Sequence, residues 1–111
     1  MSDSEFCPGV FCDVIGTLVS FDKGKINKKV LETLEDFTAK GVRVTLWTGG
    51  DIKKNEELLH SLGIKSFELV PKRDYVGKEV EIALDDESPA DIFSKYGVKI
   101  REYRKVEPIF K

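Results

Sequence analysis

Asp13, Thr48 and the pair Asp85-Asp86 are the residues of this chain in which reactive chemistry and position coincide. Carboxylates offer nucleophilic, acid-base and metal-ligating oxygens, and a threonine hydroxyl can donate to an anion. Each of these side chains stands at or just beyond the end of an apolar run that reads as a strand. That is the edge where open α/β sheets bind ligands. Simpler readings exist for each residue alone. Asp13 could cap a turn, Thr48 could cap the entry to a helix, and Asp85-Asp86 could favour the N-terminus of the helix that follows through its dipole. A charge at the end of a buried strand is nevertheless costly unless paired, and four polar residues sharing one edge point to a common task.

The elements that must position them follow from periodicity. Val10 to Ile15 is apolar and β-branched apart from Cys12 and Asp13, as expected of a central parallel strand covered on both faces, and Gly16 breaks it. Ile26, Val30, Leu31, Leu34 and Phe37 recur at helical spacing, with Gly41 as the stop. Val42, Val44, Leu46 and Trp47 form a second strand ending at Thr48-Gly49-Gly50, and Asp51 caps a helix that runs to about Leu62 and stops at Gly63. Ser66 to Val70 reads as a third strand ended by Pro71, and Val80 to Leu84 as a fourth. Ser88-Pro89 opens a helix to about Tyr96, Gly97 closes it, and Val98 to Tyr103 makes a fifth strand. Residues 1 to 8 read as a loose polar lead-in. Alternating strands and helices imply right-handed crossovers and a parallel sheet, hence a Rossmann-like three-layer α/β/α domain.

Bulk properties exclude several function classes. A chain of 111 residues accommodates one domain, residues 1–111. Lys+Arg 18 against Asp+Glu 20 leaves a net charge of −2, so no nucleic-acid partner is expected. The Val10 to Leu18 run is interrupted by Asp13 and too short for a membrane span or signal peptide, so the expectation is no membrane partner and a cytoplasmic location. Cys7 and Cys12 cannot build a disulfide framework, and Cys12 is expected to be a buried thiol. His60 is the only histidine, which leaves little for a histidine-based metal site or a Ser-His-Asp triad.

The segment Val10-Phe11-Cys12-Asp13-Val14-Ile15-Gly16-Thr17-Leu18 resembles the first motif of the haloacid dehalogenase-like (aspartyl-phosphate) superfamily, an apolar strand followed by DxDGTL, here DVIGTL. Three further motifs follow in the family's order. Val44-Thr45-Leu46-Trp47-Thr48-Gly49 is similar to the second, Lys72 is the first choice and Lys78 the second for the lone lysine of the third, and Ile82-Ala83-Leu84-Asp85-Asp86 with Asp91 is similar to the fourth. A two-component receiver domain also gathers aspartates, a threonine and a lysine, but its acidic pair precedes its phosphoacceptor, the reverse of the order here. The resemblance implies the strand order 5-4-1-2-3. It also implies Mg2+ held by Asp13, the main-chain carbonyl of Ile15, Asp85 and Asp86, and a phosphoryl site formed by Thr48, Gly49 and Lys72 or Lys78. Asp13, Thr48 and Lys72 would be catalytic, with Asp13 attacking phosphorus to give an aspartyl-phosphate.

The chain departs from the family pattern in two ways. The second aspartate of DxDGT, which family phosphatases use as general acid and base, is Ile15, and an isoleucine cannot move a proton. Relatives without a carboxylate there, such as dehalogenases, phosphonate hydrolases and P-type ATPases, do not protonate a leaving alcohol. The stretches 16 to 25 and 71 to 79 are also too short to hold a cap domain, so a large substrate, a protein partner or a second copy of the chain is expected to cover the site. The leading expectation is a phosphohydrolase or phosphotransferase acting on small or macromolecular phosphorylated substrates with good leaving groups. The alternative is a catalytically silent binding or regulatory module that keeps the metal or phosphate site. A halide-releasing enzyme is disfavoured because no cap builds an apolar pocket.

Overall fold

The structure is a computed structural model and describes residues 5–107. Five parallel strands, β1 (Glu5–Asp13), β2 (Val44–Thr48), β3 (Glu68–Pro71), β4 (Lys78–Asp85) and β5 (Lys99–Lys105), form one sheet in the order β3-β2-β1-β4-β5. This is the order implied by the resemblance, read from the other edge. The helices are α1 (Lys28–Ala39), α2 (Ile52–Ser61) and α3 (Pro89–Tyr96).

Alternation along the central strands divides the core into two layers. Val10 and Cys12 of β1 and Leu46 of β2 pack with Val30, Leu34 and Leu59 from α1 and α2. Phe11 and Trp47 face the other way, against Ile92 of α3 and Val80, Ala83 and Val98. Tyr75 joins that second layer, its ring centroid 5.1 Å from Phe11 and 6.1 Å from Trp47. Three layers result because β1 from Gly9 onward and all of β2 are buried on both faces.

Helix starts are set by side-chain caps. Asn27 accepts from the Val30 amide, Asp51 from Lys54 at 2.9 Å, and Ser88 from Asp91 at 3.1 Å, with Pro89 at the first helical position. Cys12 is buried, as expected, and His60 is exposed. No helix among the described residues is long and apolar enough to cross a membrane.

Strand boundaries differ from the sequence expectation at several places, β1 most of all. Glu5 to Pro8, read as a loose lead-in, belong to β1, where Glu5, Phe6 and Cys7 pair with Lys78, Glu79 and Val80. Residues 1–4 of that lead-in lie outside the described residues. Pro8 is tolerated because the register shifts between Cys7 and Val10, and Gly9, at φ 99°, donates its amide to Glu81 Oε1 at 2.8 Å. β1 also ends at Asp13 and not at Ile15, because Val14 and Ile15 turn into a tight loop in which Ile15 bridges Val19 and Val19 bridges Ile26. Pro71 is the last residue of β3, paired with Thr48. The segment from Lys72 to Tyr75 is a single 3₁₀ turn.

Candidate functional site

Asp13, Thr48, Pro71 and Asp85 are the last residues of β1, β2, β3 and β4, so the parallel register delivers their side chains or successors to one edge. Lys72, the residue after β3, lies two strands from β1, about 10 Å across the sheet. Its long stem spans that gap within the protein. The Nζ lies 5.6 Å from the Trp47 ring centroid and 5.4 Å from that of Tyr96. It ends 3.2 Å from Asp13 Oδ1, 3.0 Å from Asp85 Oδ2 and 3.7 Å from Glu87 Oε1. Only 1% of Lys72 is exposed, which makes this a structural ion pair and not a solvated lysine.

Thr17 completes the carboxylate group. Its hydroxyl lies 3.2 Å from both Asp13 Oδ2 and Asp86 Oδ1 and can donate to one at a time. Asp13, Asp85 and Asp86 can each direct one oxygen so that the three lie within 4.8 Å of one another. Lys72 faces two of these three carboxylates, Asp13 and Asp85, with Glu87 as a third neighbour, so acidic groups outnumber cations at this edge. Burial, then the Asp85 charge, pushes the Asp13 carboxyl well above its usual range, against the pull of Lys72. Burial likewise raises Asp85, opposed by Lys72 and by the Glu87 amide that Asp85 Oδ1 accepts at 3.0 Å. Burial alone would lower the Lys72 ammonium, but the attraction of Asp13 and Asp85 wins and holds it above the ordinary lysine range. A hard divalent cation suits this donor set, because it offers carboxylate oxygens only and carries the charge such an ion would neutralise.

Asp13, Thr48, Lys72 and Asp86 line one cavity of about 440 Å³, together with Ile15 and Gly49. Thr48 Oγ1 accepts from the Gly50 amide at 3.0 Å, so it does stabilise the turn into α2, yet its own hydroxyl proton is not used by that bond and can be donated into the cavity. Tyr96, on the last turn of α3, closes one wall. Its hydroxyl stands 1.9 Å from the point a Cβ on Gly49 would occupy. Gly49→Ala should therefore expel the Tyr96 ring and destabilise the fold by about 1–3 kcal/mol. Urea unfolding of the variant checks this, and an unchanged midpoint would show that the ring relocates without cost.

Lys78, the second choice for the site lysine, is not brought to this edge. It begins β4, roughly 23 Å along the strand from Asp85. Its Nζ lies 3.9 Å from Glu5 Oε2 and 5.4 Å from the Tyr75 ring centroid, at the opposite end of the sheet. Asp91 is likewise displaced, exposed in the first turn of α3 with its amide engaged by Ser88. Glu87 lies at the site instead, between Lys72 and Lys95. Sequence reasoning missed Glu87, Thr17, Phe21 and Tyr96. Thr17 stood inside the first motif and Glu87 directly after the acidic pair, so adjacency could have flagged both. Nothing in periodicity marks Phe21 or Tyr96 as lining the cavity.

The profile of the haloacid dehalogenase-like hydrolase family matches residues 10–91, from the middle of β1 to the first turn of α3. No curated protein and no solved structure matches the chain. The matched span covers most of the chain and includes Asp13, Thr48, Lys72 and the acidic pair, so the chain belongs to the haloacid dehalogenase-like hydrolases.

Proposed function

We propose that the protein is a magnesium-dependent phosphohydrolase or phosphotransferase that uses Asp13 as nucleophile and acts on phosphate compounds with good leaving groups. The observation that carries this reading is the convergence of Lys72 on Asp13 at 3.2 Å and on the fully buried Asp85 at 3.0 Å, with Asp13 and Lys72 lining a cavity shared with Thr48 and Asp86. Asp13, Asp85, Asp86 and the Ile15 carbonyl would hold the Mg2+, which when bound favours the ionised form of Asp13 and offsets charge on the phosphoryl group.

Lys72 orients Asp13 through Oδ1 while Thr17 reaches Oδ2, which fixes the carboxylate plane for in-line attack. The Thr48 hydroxyl donates to a phosphoryl oxygen, and the Lys72 ammonium balances charge as the phosphoryl group transfers. Departure of the leaving group has no carboxyl proton donor at residue 15, since Ile15 is what lines the cavity there. Glu87 does not substitute, because its two oxygens face Lys72 and Lys95. An aryloxide or carboxylate leaves without help; an alkoxide does not.

Phosphate release from aryl, acyl and alkyl phosphates, with and without Mg2+, tests the reading. Metal-dependent turnover of the first two classes only is expected. Ile15→Asp should then raise alkyl phosphate turnover by about tenfold or more, since a positioned acid is worth roughly 10²–10⁴ and this one lacks an evolved setting. The same cavity, with Ile15 in place of an acid, also suits a silent module that binds a metal or phosphate. Folded protein that binds Mg2+ and releases no phosphate from any class would establish that second reading instead.

A further inference from the structure

A second cavity, of about 230 Å³, adjoins the one that holds Asp13. Ile15, Gly50 and Asn55 line both, so a substrate whose phosphoryl group sits at Asp13 can pass its remainder over Ile15 into the second space. Lys23 and Lys54 line that space. Neither lysine has an ion-pair partner among the described residues. Asp51, the one carboxylate among the lining residues, directs Oδ1 to the Lys54 amide at 2.9 Å as the cap of α2. Asp22, next to Lys23, is committed as well, its Oδ1 accepting from the Ser20 hydroxyl and the Gly24 amide. Lys23 carries a further mark. At φ 66° it is the one non-glycine residue of positive φ among the described residues, and its amide donates to the Ser20 carbonyl at 2.8 Å. A glycine would take that conformation without strain, so the turn bears a backbone cost to keep a lysine beside the catalytic cavity.

We propose that the substrate is a phosphoanhydride, with its transferred phosphoryl group at Asp13 and its departing phosphate in the second cavity between Lys23 and Lys54. This rests on the Asp13 reading above and names the substrate class for it. Asp13 forms a bond to the terminal phosphorus as the bond from that phosphorus to the bridging oxygen breaks, and the electron pair stays on that oxygen, now part of the departing phosphate. Water then attacks phosphorus, the bond to Asp13 breaks, the carboxylate is restored and both hydrogens of the water leave on inorganic phosphate. A phosphate group has its second pKa at about 6, so it departs at neutral pH with no proton supplied. Two ammoniums offset the charge it takes with it. A carboxylate at residue 15 would repel that departing anion, whereas Ile15 lets it pass. An alkyl ester offers neither a charge for the lysines nor a leaving group of low pKa.

The test separates recognition of the departing phosphate from catalysis. Dissociation constants of methylenediphosphonate and methylphosphonate, neither of which can be hydrolysed, are measured by NMR titration with and without Mg2+, since the diphosphonate also chelates the ion. Wild type should favour the diphosphonate by roughly tenfold, because two partly exposed charge contacts are together worth about 2- to 30-fold. The double variant Lys23→Gln/Lys54→Gln should lose most of that preference, and Lys23→Arg/Lys54→Arg should keep it. The preference should also shrink as ionic strength rises. The ratio of kcat/KM for inorganic pyrophosphate over acetyl phosphate should fall by a similar factor in the glutamine variant only. ADP run beside pyrophosphate distinguishes the sources. Faster turnover of ADP assigns the departing phosphate to a nucleotide, and equal or slower turnover assigns it to inorganic pyrophosphate, both within the proposal. Equal affinity for the two phosphonates, or a preference indifferent to loss of both lysines, would overturn it while acetyl phosphate turnover left the Asp13 reading intact. Neither binding nor turnover of any compound would remove both.

Discussion

Replacing Asp13 with asparagine should abolish phosphate release, by at least about 10³-fold in kcat, while leaving the fold in place. Asparagine has nearly the shape of aspartate and keeps an oxygen for Thr17 or Lys72, so the packing at the end of β1 is preserved. The amide cannot form a stable phosphoryl intermediate. Stability of the metal-free protein should not fall, because Asp13 is a buried carboxyl already pushed well above its usual range by burial and by Asp85. Removing such a charge relieves a desolvation cost. Two measurements check this together: phosphate release, and thermal unfolding without metal. Wild-type protein quenched in acid during turnover should also carry one phosphoryl group that mass spectrometry locates on Asp13. Full activity in Asp13→Asn would eliminate the covalent route.

Lys72→Met should be the most destabilising single change at the site. It leaves Asp13 and Asp85 buried without their shared cation, a situation that costs about 3–5 kcal/mol. The pH dependence has a definite sign. Both carboxyls are raised above the ordinary aspartate value of 3.8 in the folded state even with Lys72 present, and removing the ammonium raises them further. Above 3.8 the unfolded chain therefore binds fewer protons than the folded one, and stability falls as pH rises toward the folded-state values. The deficit of Lys72→Met relative to wild type should be largest near neutral pH and shrink as pH falls below the raised folded-state values, where the carboxyls that Lys72 offsets carry protons in the folded protein. Urea midpoints across that range provide the check. A deficit that does not vary with pH would mean that Lys72 stabilises through its stem against Trp47 and not through its charge.

Much of the fold and half of the site were legible in the sequence for a common reason. Asp13, Thr48 and Asp85 each terminate an apolar run, and in a parallel sheet every such terminus is delivered to one edge without further information. Helix starts were equally local, since Asp51 and Ser88 act on amides three residues away. What lay beyond reach depends on the path of the chain. Lys72 and Lys78 are both lysines in one connection, and only the 3₁₀ turn at Lys72–Tyr75, which returns the chain to the far end of the sheet, separates a site residue from one beside Glu5. Glu87 rather than Asp91 meets Lys72 because Ser88 begins α3 and points Asp91 outward. Pro8 read as the end of a loose lead-in because nothing local announces the bulge at Gly9 that lets β1 continue through it. Phe21 belongs to the site through its approach to Gly16, a contact that hydrophobic periodicity does not encode.

The reach of Lys72 across two strands also ties the chemistry to the margin of the sheet. β3 is a four-residue outer strand with none of its residues fully buried, bonded on one side to β2 alone. Outer strands of that kind open at a fraction of the free energy of global unfolding. Each opening withdraws the cation that offsets Asp13 and Asp85, so the electrical state of the nucleophile follows the breathing of a strand that never touches it.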